Sequence, residues 1–276
     1  MKWSDGGPSA DLEDRRGGGG GGLKLGLGGT LVLGVLSLFF HRDLFSLLGV
    51  APSTGGGSSQ SSAPAQDTPE QKKLVSFVSF VIDDIQKTWT KILPGYTHAK
   101  LVLFDGQVAS ACGRAESAMG PFYCPGDQRV YIDLAFYREL QSRFGAPGDF
   151  AQAYVIAHEV GHHVQNLTGI EAKMREAQER APQQRNALSV KLELQADCYA
   201  GVWANSTQQR GILDAGDVQE ALGAAAAVGD DRLQKASTGT VQPERWTHGS
   251  SAERMRWFKR GFDGGKPDAC DTFAAP

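Results

Sequence analysis

One apolar stripe at helical spacing opens the folded part of this chain: Leu74, Val78, Val81, Ile85, Trp89 and Ile92, up to a break at Pro94-Gly95. Thr68 is placed to cap that helix, Pro69 suits its first position, and Glu70 suits the positive end of its dipole. The stripe reads as core packing. The period then shortens. Residues 100–104 and 107–109 flank Asp105-Gly106, which predicts a hairpin, and residues 129–134 predict a third strand. By analogy with clefts that hold an extended peptide by strand addition, Val130 to Ile132 is a candidate border of a substrate site. Asp133 is placed to cap a helix over 135–144.

Helical spacing then returns. Residues 153–165 read as a buried helix, stopped by Gly169, and residues 171–180 as a charged, solvated helix ended by Pro182. A run over 186–203 carries Leu188, Leu192, Ala196, Tyr199 and Trp203 on one face. Residues 215–228 form an Ala-rich packing helix closed by Gly229-Asp230-Asp231, whose two carboxylates read as a solvated cap rather than a Ca²⁺ site. Ser250 and Glu253 have the spacing of a capping box. The pattern predicts one α+β domain over 67–276, mainly helical with a small β-sheet.

The N-terminal part has a different texture. Residues 1–24 are polar and Gly-rich, and residues 25–40 run without a charge, extended by an apolar patch at 44–50. A transmembrane signal anchor over 25–48 is expected, followed by a flexible Ser/Gly/Pro/Ala linker over 49–66. A long polar lead and no A-x-A site weigh against a cleaved signal peptide, and the many glycines weigh against a core helix. Arg15, Arg16 and Lys24 precede the run, which favours an N-in, single-pass topology in the cell membrane with the folded domain on the extracytoplasmic side. The net charge of −3 over 276 residues leaves no basic surface for nucleic acid. Four cysteines fit an oxidising compartment. Of three possible pairings, Cys112–Cys124 and Cys198–Cys270 are favoured: the first closes a short loop, and the second ties the C-terminus to the 186–203 helix. No two cysteines have C-x-x-C spacing, which disfavours a cysteine zinc site.

The chemistry concentrates in His158-Glu159-Val160-Gly161-His162. Histidines four apart lie on one helix face, so both imidazoles reach one metal ion, and neutral imidazole suits Zn²⁺. Glu159 would stand beside the metal's water as general base. A buried helix does not keep two histidines and a glutamate without partners. The metzincin pattern is excluded, because Gln165 and Thr168 stand where it needs glycine and histidine. Glu193 and Asp197 instead resemble the E-x-x-x-D arrangement of thermolysin-like gluzincins. That resemblance implies Glu193 as the third ligand and Asp197 as the group that holds the other ring nitrogen of His158. His248, in Thr247-His248-Gly249 at a helix entry, is a candidate oxyanion stabiliser, with Arg254 as the alternative. His163 points about 100° away from His162 on the helix and cannot share the metal.

Several stretches stand out together: Gly120-Pro121-Phe122-Tyr123-Cys124-Pro125, the run from Ala153 to Gln165, Glu193 to Gly201, Gly229-Asp230-Asp231 and Thr247 to Ser250. With them the chain resembles the neutral zinc metallopeptidase family of bacterial membrane-anchored proteins, over nearly its whole length. The resemblance implies a zincin-like fold, bound Zn²⁺, and hydrolysis of peptide bonds in a peptide or protein substrate. Two other readings stand beside it. One is a zinc amidase acting on cell-wall peptides. The other is a non-catalytic, zinc-stabilised interaction domain, against which Glu159 speaks, since a structural zinc needs no base.

Overall fold

The computed structural model describes residues 1–17 and 67–274. The expected anchor over 25–48 and linker over 49–66 lie outside the described residues. Among the described residues, no helix is long and apolar enough to cross a membrane.

The architecture is α+β, mostly helical with a small sheet. Helix α1 (Pro69–Ile92) starts in a capping box: the Thr68 side chain accepts from the Gln71 N–H, and the Gln71 side chain accepts from the Thr68 N–H. Its stripe buries Val78, Val81, Ile85 and Trp89 completely. Strands β1 (Leu12–Asp14), β2 (Lys100–Phe104), β5 (Phe122–Cys124) and β6 (Arg129–Asp133) form a four-stranded sheet in the order β1-β2-β6-β5, antiparallel only at the β5–β6 pair. Strands β3 (Gln107–Ser110) and β4 (Gly113–Glu116) form a separate antiparallel pair.

The hairpin expected at Asp105-Gly106 is therefore not there. Leu101 to Phe104 are buried, so β2 is a central strand whose two edges are taken by β1 and β6. The Asp105-Gly106 turn only steps the chain into the second sheet, where Asp133 receives the Gly106 N–H at 2.9 Å. The other Asp133 oxygen accepts from Ala135 N–H at 2.8 Å, at the start of α2 (Ala135–Ser142).

The first fourteen residues belong to the same compact unit as residues 67–276, although their composition set them apart. Beyond the β1–β2 pairing, Trp3 packs edge-on to Phe77, His98 Nδ1 lies 2.6 Å from Asp11, and Ser9 donates to Asp83.

The remaining helices are α3 (Asp149–Leu167), α4 (Ile170–Arg180), α5 (Arg185–Gln209), α6 (Asp217–Ala227), α7 (Asp230–Thr238) and α8 (Ser251–Gly264). α3 runs through the main core, against α1, α5, α6 and the β5–β6 end of the sheet. α5 and α8 cross closely because Gly201 and Gly261 meet the opposite backbone; a Cβ on Gly261 would fall 1.9 Å from the Cys198 carbonyl oxygen. Both favoured disulfides are present, Cys112–Cys124 and Cys198–Cys270.

Candidate metal centre

α3 is apolar on nearly every face, which is why it lies inside, buried almost without interruption from Phe150 to Gln165. α5 crosses it where Gly161 faces Ala196. A Cβ on Gly161 would stand 3.0 Å from the Ala196 Cα and carbonyl oxygen, so only a glycine admits the second helix this closely. The approach brings Glu193 and Asp197 onto the histidine face of α3.

The donor atoms converge. His158 Nε2 lies 3.2 Å from one Glu193 oxygen, and His162 Nε2 lies 3.5 Å from the other. One ligand atom from each of His158, His162 and Glu193 falls within 4.8 Å of the others. Neighbouring donors around a tetrahedral Zn²⁺ with bonds of about 2.0–2.1 Å stand about 3.3 Å apart, and each imidazole nitrogen lies at about that distance from one or the other Glu193 oxygen. The donor set, two imidazoles and a carboxylate, fits zinc.

Both rings are held from behind in the tautomer a metal needs. Asp197 accepts the His158 Nδ1–H at 2.9 Å and Gln165 Oε1 accepts the His162 Nδ1–H at 2.8 Å, which turns both Nε2 atoms toward Glu193, where a metal ion would replace any proton they carry. Gln165 is itself fixed, donating to the Leu192 carbonyl at 2.7 Å and to Gln195 at 3.1 Å, while Gln195 donates to Cys270 O at 2.9 Å. Asp197 is fully buried and receives four donors: His158, the Tyr154 hydroxyl at 2.5 Å, and Arg254 through Nε at 2.8 Å and Nη2 at 2.9 Å. Arg254 therefore lies behind the centre as the counter-ion of Asp197, not at the oxyanion position considered for it.

The electrostatics follow from this packing. Burial opposes ionisation of Asp197, but Arg254 and His158 outweigh it and hold the carboxyl below its ordinary range. Burial likewise opposes charge on His158, yet Asp197 and Glu193 prevail and raise its pKa to about 10 in the metal-free protein. Glu193, despite burial, is held well down by His162 and His158. The site attracts positive charge, which a divalent cation would supply.

Glu159 lines the same cleft, and among the described residues no side chain ties up its carboxylate. His248 also lines the cleft. Its Nδ1 is engaged by Asp230 at 3.2 Å and Thr247 at 3.0 Å, which leaves Nε2 for the opening. The hydrogen bond to Asp230 raises the His248 pKa. Asp230 pins this loop by accepting the backbone N–H groups of Thr247, His248 and Gly249, and Asp231 accepts from Ser251, so the acidic pair organises backbone. His163 is buried among partners: Nε2 donates to Thr97 O at 2.7 Å, and Nδ1 accepts from the Tyr123 hydroxyl at 2.9 Å. Burial lowers its pKa, consistent with a neutral ring.

β6 lies between β2 and β5, so Val130 and Tyr131 are paired on both sides, and of the candidate border only Ile132 lacks a β5 partner. The edge strand bordering the cleft is β5, through Phe122 and Tyr123.

Sequence reasoning passed over Tyr154, Gln165 and the pairing of Arg254 with Asp197. Tyr154 precedes His158 by four positions and Gln165 follows His162 by three, so helical spacing alone marks both. Arg254 carries no such signal, being 57 positions from Asp197.

The chain is 46% identical over 288 residues to the uncharacterized protein YpfJ of Escherichia coli K12, covering 99% of each chain. It is 47% identical over 204 residues to the uncharacterized protein Rv2575 of Mycobacterium tuberculosis H37Rv, covering 70% of this chain and 68% of that one. No solved structure matches the chain. The family model described as "putative neutral zinc metallopeptidase" matches residues 1–273, and the chain belongs to that family.

Proposed function

We propose that this protein is a zinc-dependent peptidase of zincin-like, gluzincin-type architecture. It would bind the metal through His158, His162 and Glu193 and hydrolyse peptide bonds with Glu159 as general base. The observation that carries this reading is the convergence of two back-held Nε2 atoms on Glu193, in a cleft that Glu159 also lines. Zinc bound there would lower the pKa of a coordinated water toward about 7 and polarise the scissile carbonyl.

The chain's own residues supply the rest. Glu159 takes a proton from the attacking water and returns it to the leaving amine. His248, anchored through Nδ1 and kept protonated to higher pH by Asp230, donates from Nε2 to the carbonyl oxygen as negative charge gathers there. Asp197 and Gln165 keep the two ligand rings from turning, and Arg254 keeps Asp197 ionised. The exposed edge of β5 offers backbone groups to an extended peptide. Two disulfides support an extracytoplasmic setting.

The test compares the wild type with Glu159→Gln for zinc content and for hydrolysis of peptide and cell-wall fragments. One zinc in each form, with cleavage by the wild type only, supports the reading. Zinc in both and cleavage by neither would falsify it in favour of a non-catalytic zinc domain.

A further inference from the structure

The cleft, about 790 Å³, joins two unlike surfaces. One is the polar metal end. The other is an apolar wall outside the metal machinery, in which Met119 is unusual: it is 70% exposed, and among the described residues the other exposed large apolar residue, Val241, reaches 43%. Its backbone is not loose. The 3-10 turn Ser117–Met119 is pinned by Ser117 N–H and Oγ to the Gly106 carbonyl, at 2.8 and 3.1 Å, and by Ser117 Oγ to Asp133. A held backbone that presents a free, pliable thioether to a cleft is an apolar contact without a partner in the fold.

Its neighbours continue the surface. Gly120, with φ at 78°, packs where Phe136 would stand 3.8 Å from any added Cβ. Phe136 and Phe144 face each other at 6.2 Å between ring centroids, both line the cleft, and Arg143 covers the Phe144 ring from 5.4 Å. On α3, Val155 precedes His158 by three positions and so lies on the ligand face, which carries the apolar lining to the metal end.

We infer that Met119, Phe136 and Phe144 form a specificity pocket that receives a bulky apolar side chain of an extended peptide held at the metal centre. This rests on the peptidase reading for the identity of the ligand as a peptide, but its readout is binding and not turnover. Withdrawing a large apolar side chain from water is worth tenfold or more in affinity over an alanine at the same place, about the scale for burying a Phe or Met.

The experiment uses full-length protein carrying Glu159→Gln, so that bound peptide is not consumed. Fluorescence anisotropy would measure three labelled Gly/Ala peptides, alike except for one central Phe, Ala or Asp. The Phe peptide is expected to bind at least tenfold tighter than the Ala peptide and the Asp peptide weakest. Adding Met119→Asp, an exposed change that leaves the core untouched, should erase the Phe advantage, and Met119→Leu should restore it. Equal binding of the three peptides, no binding of any, or an advantage that survives Met119→Asp overturns the inference. Discriminating binding alongside a wild type that never cleaves leaves the pocket standing and removes only the peptidase reading.

Discussion

Gln165 holds one ligand ring by an amide whose nitrogen is taken at two further points, Leu192 O and Gln195. Its orientation is thus settled by α5 before any metal arrives. Gln165→Ala frees the His162 ring to turn and should weaken zinc binding about 10- to 100-fold, the usual cost of losing such a support; competition with a chromogenic chelator reads this directly. Asp197 is a harder residue to replace, because its loss strands the buried Arg254 charge. The His248–Asp230 link gives a pH signature. His248 has its pKa raised from 6.5, so its contribution is complete below 6.5 and is lost as pH climbs through the raised value. Burial opposes ionisation of Asp230, but hydrogen bonds from His248 and the 247–249 backbone lower its pKa from 3.8, so its contribution is complete above 3.8 and fades in acid. In metal-free protein, the melting temperature of the wild type should exceed that of His248→Gln most between those two values. The gap should close toward alkaline pH; a gap that widens instead refutes the link.

At the scale of elements, the crossing of α3 and α5 is the decisive contact, and one missing side chain sets it. Gly161→Ala places a methyl against the Ala196 backbone, which must shift. The expected cost is about 1–3 kcal/mol in urea unfolding, with a loss of zinc retention on dialysis that the stability change alone does not explain. What could be read from the sequence here divides by range. The caps at Thr68 and Ser250, the α1 stripe and the one-face spacing of His158 and His162 are local, and the residues within four positions specify them. The strand pairing is not local. Asp105-Gly106 has the composition of a hairpin turn, yet Leu101 to Phe104 is buried and finds its partners in β1 and β6. The near-continuous apolar run of β2 was the available sign of a central strand. Glu193 and Asp197 were marked by their resemblance to the gluzincin arrangement, whereas the Arg254 pairing emerges only once α8 is docked on α5.

Across the whole molecule, the pairing of β1 with β2 has a consequence for topology. The residues on either side of the 15–66 stretch, Met1–Asp14 and those from Asp67 onward, belong to one folded unit, with Leu12 in register with Leu101. Paired strands cannot be parted by a bilayer, so β1 and β2 lie on one and the same side of any membrane. Cysteines introduced at exposed Asp5 and exposed Lys259 should both react with a membrane-impermeant maleimide in intact cells, or both stay silent. Labelling of one without the other would require the sheet to come apart. Through this one pairing, the first fourteen residues share the compartment of the folded domain whatever surface it meets.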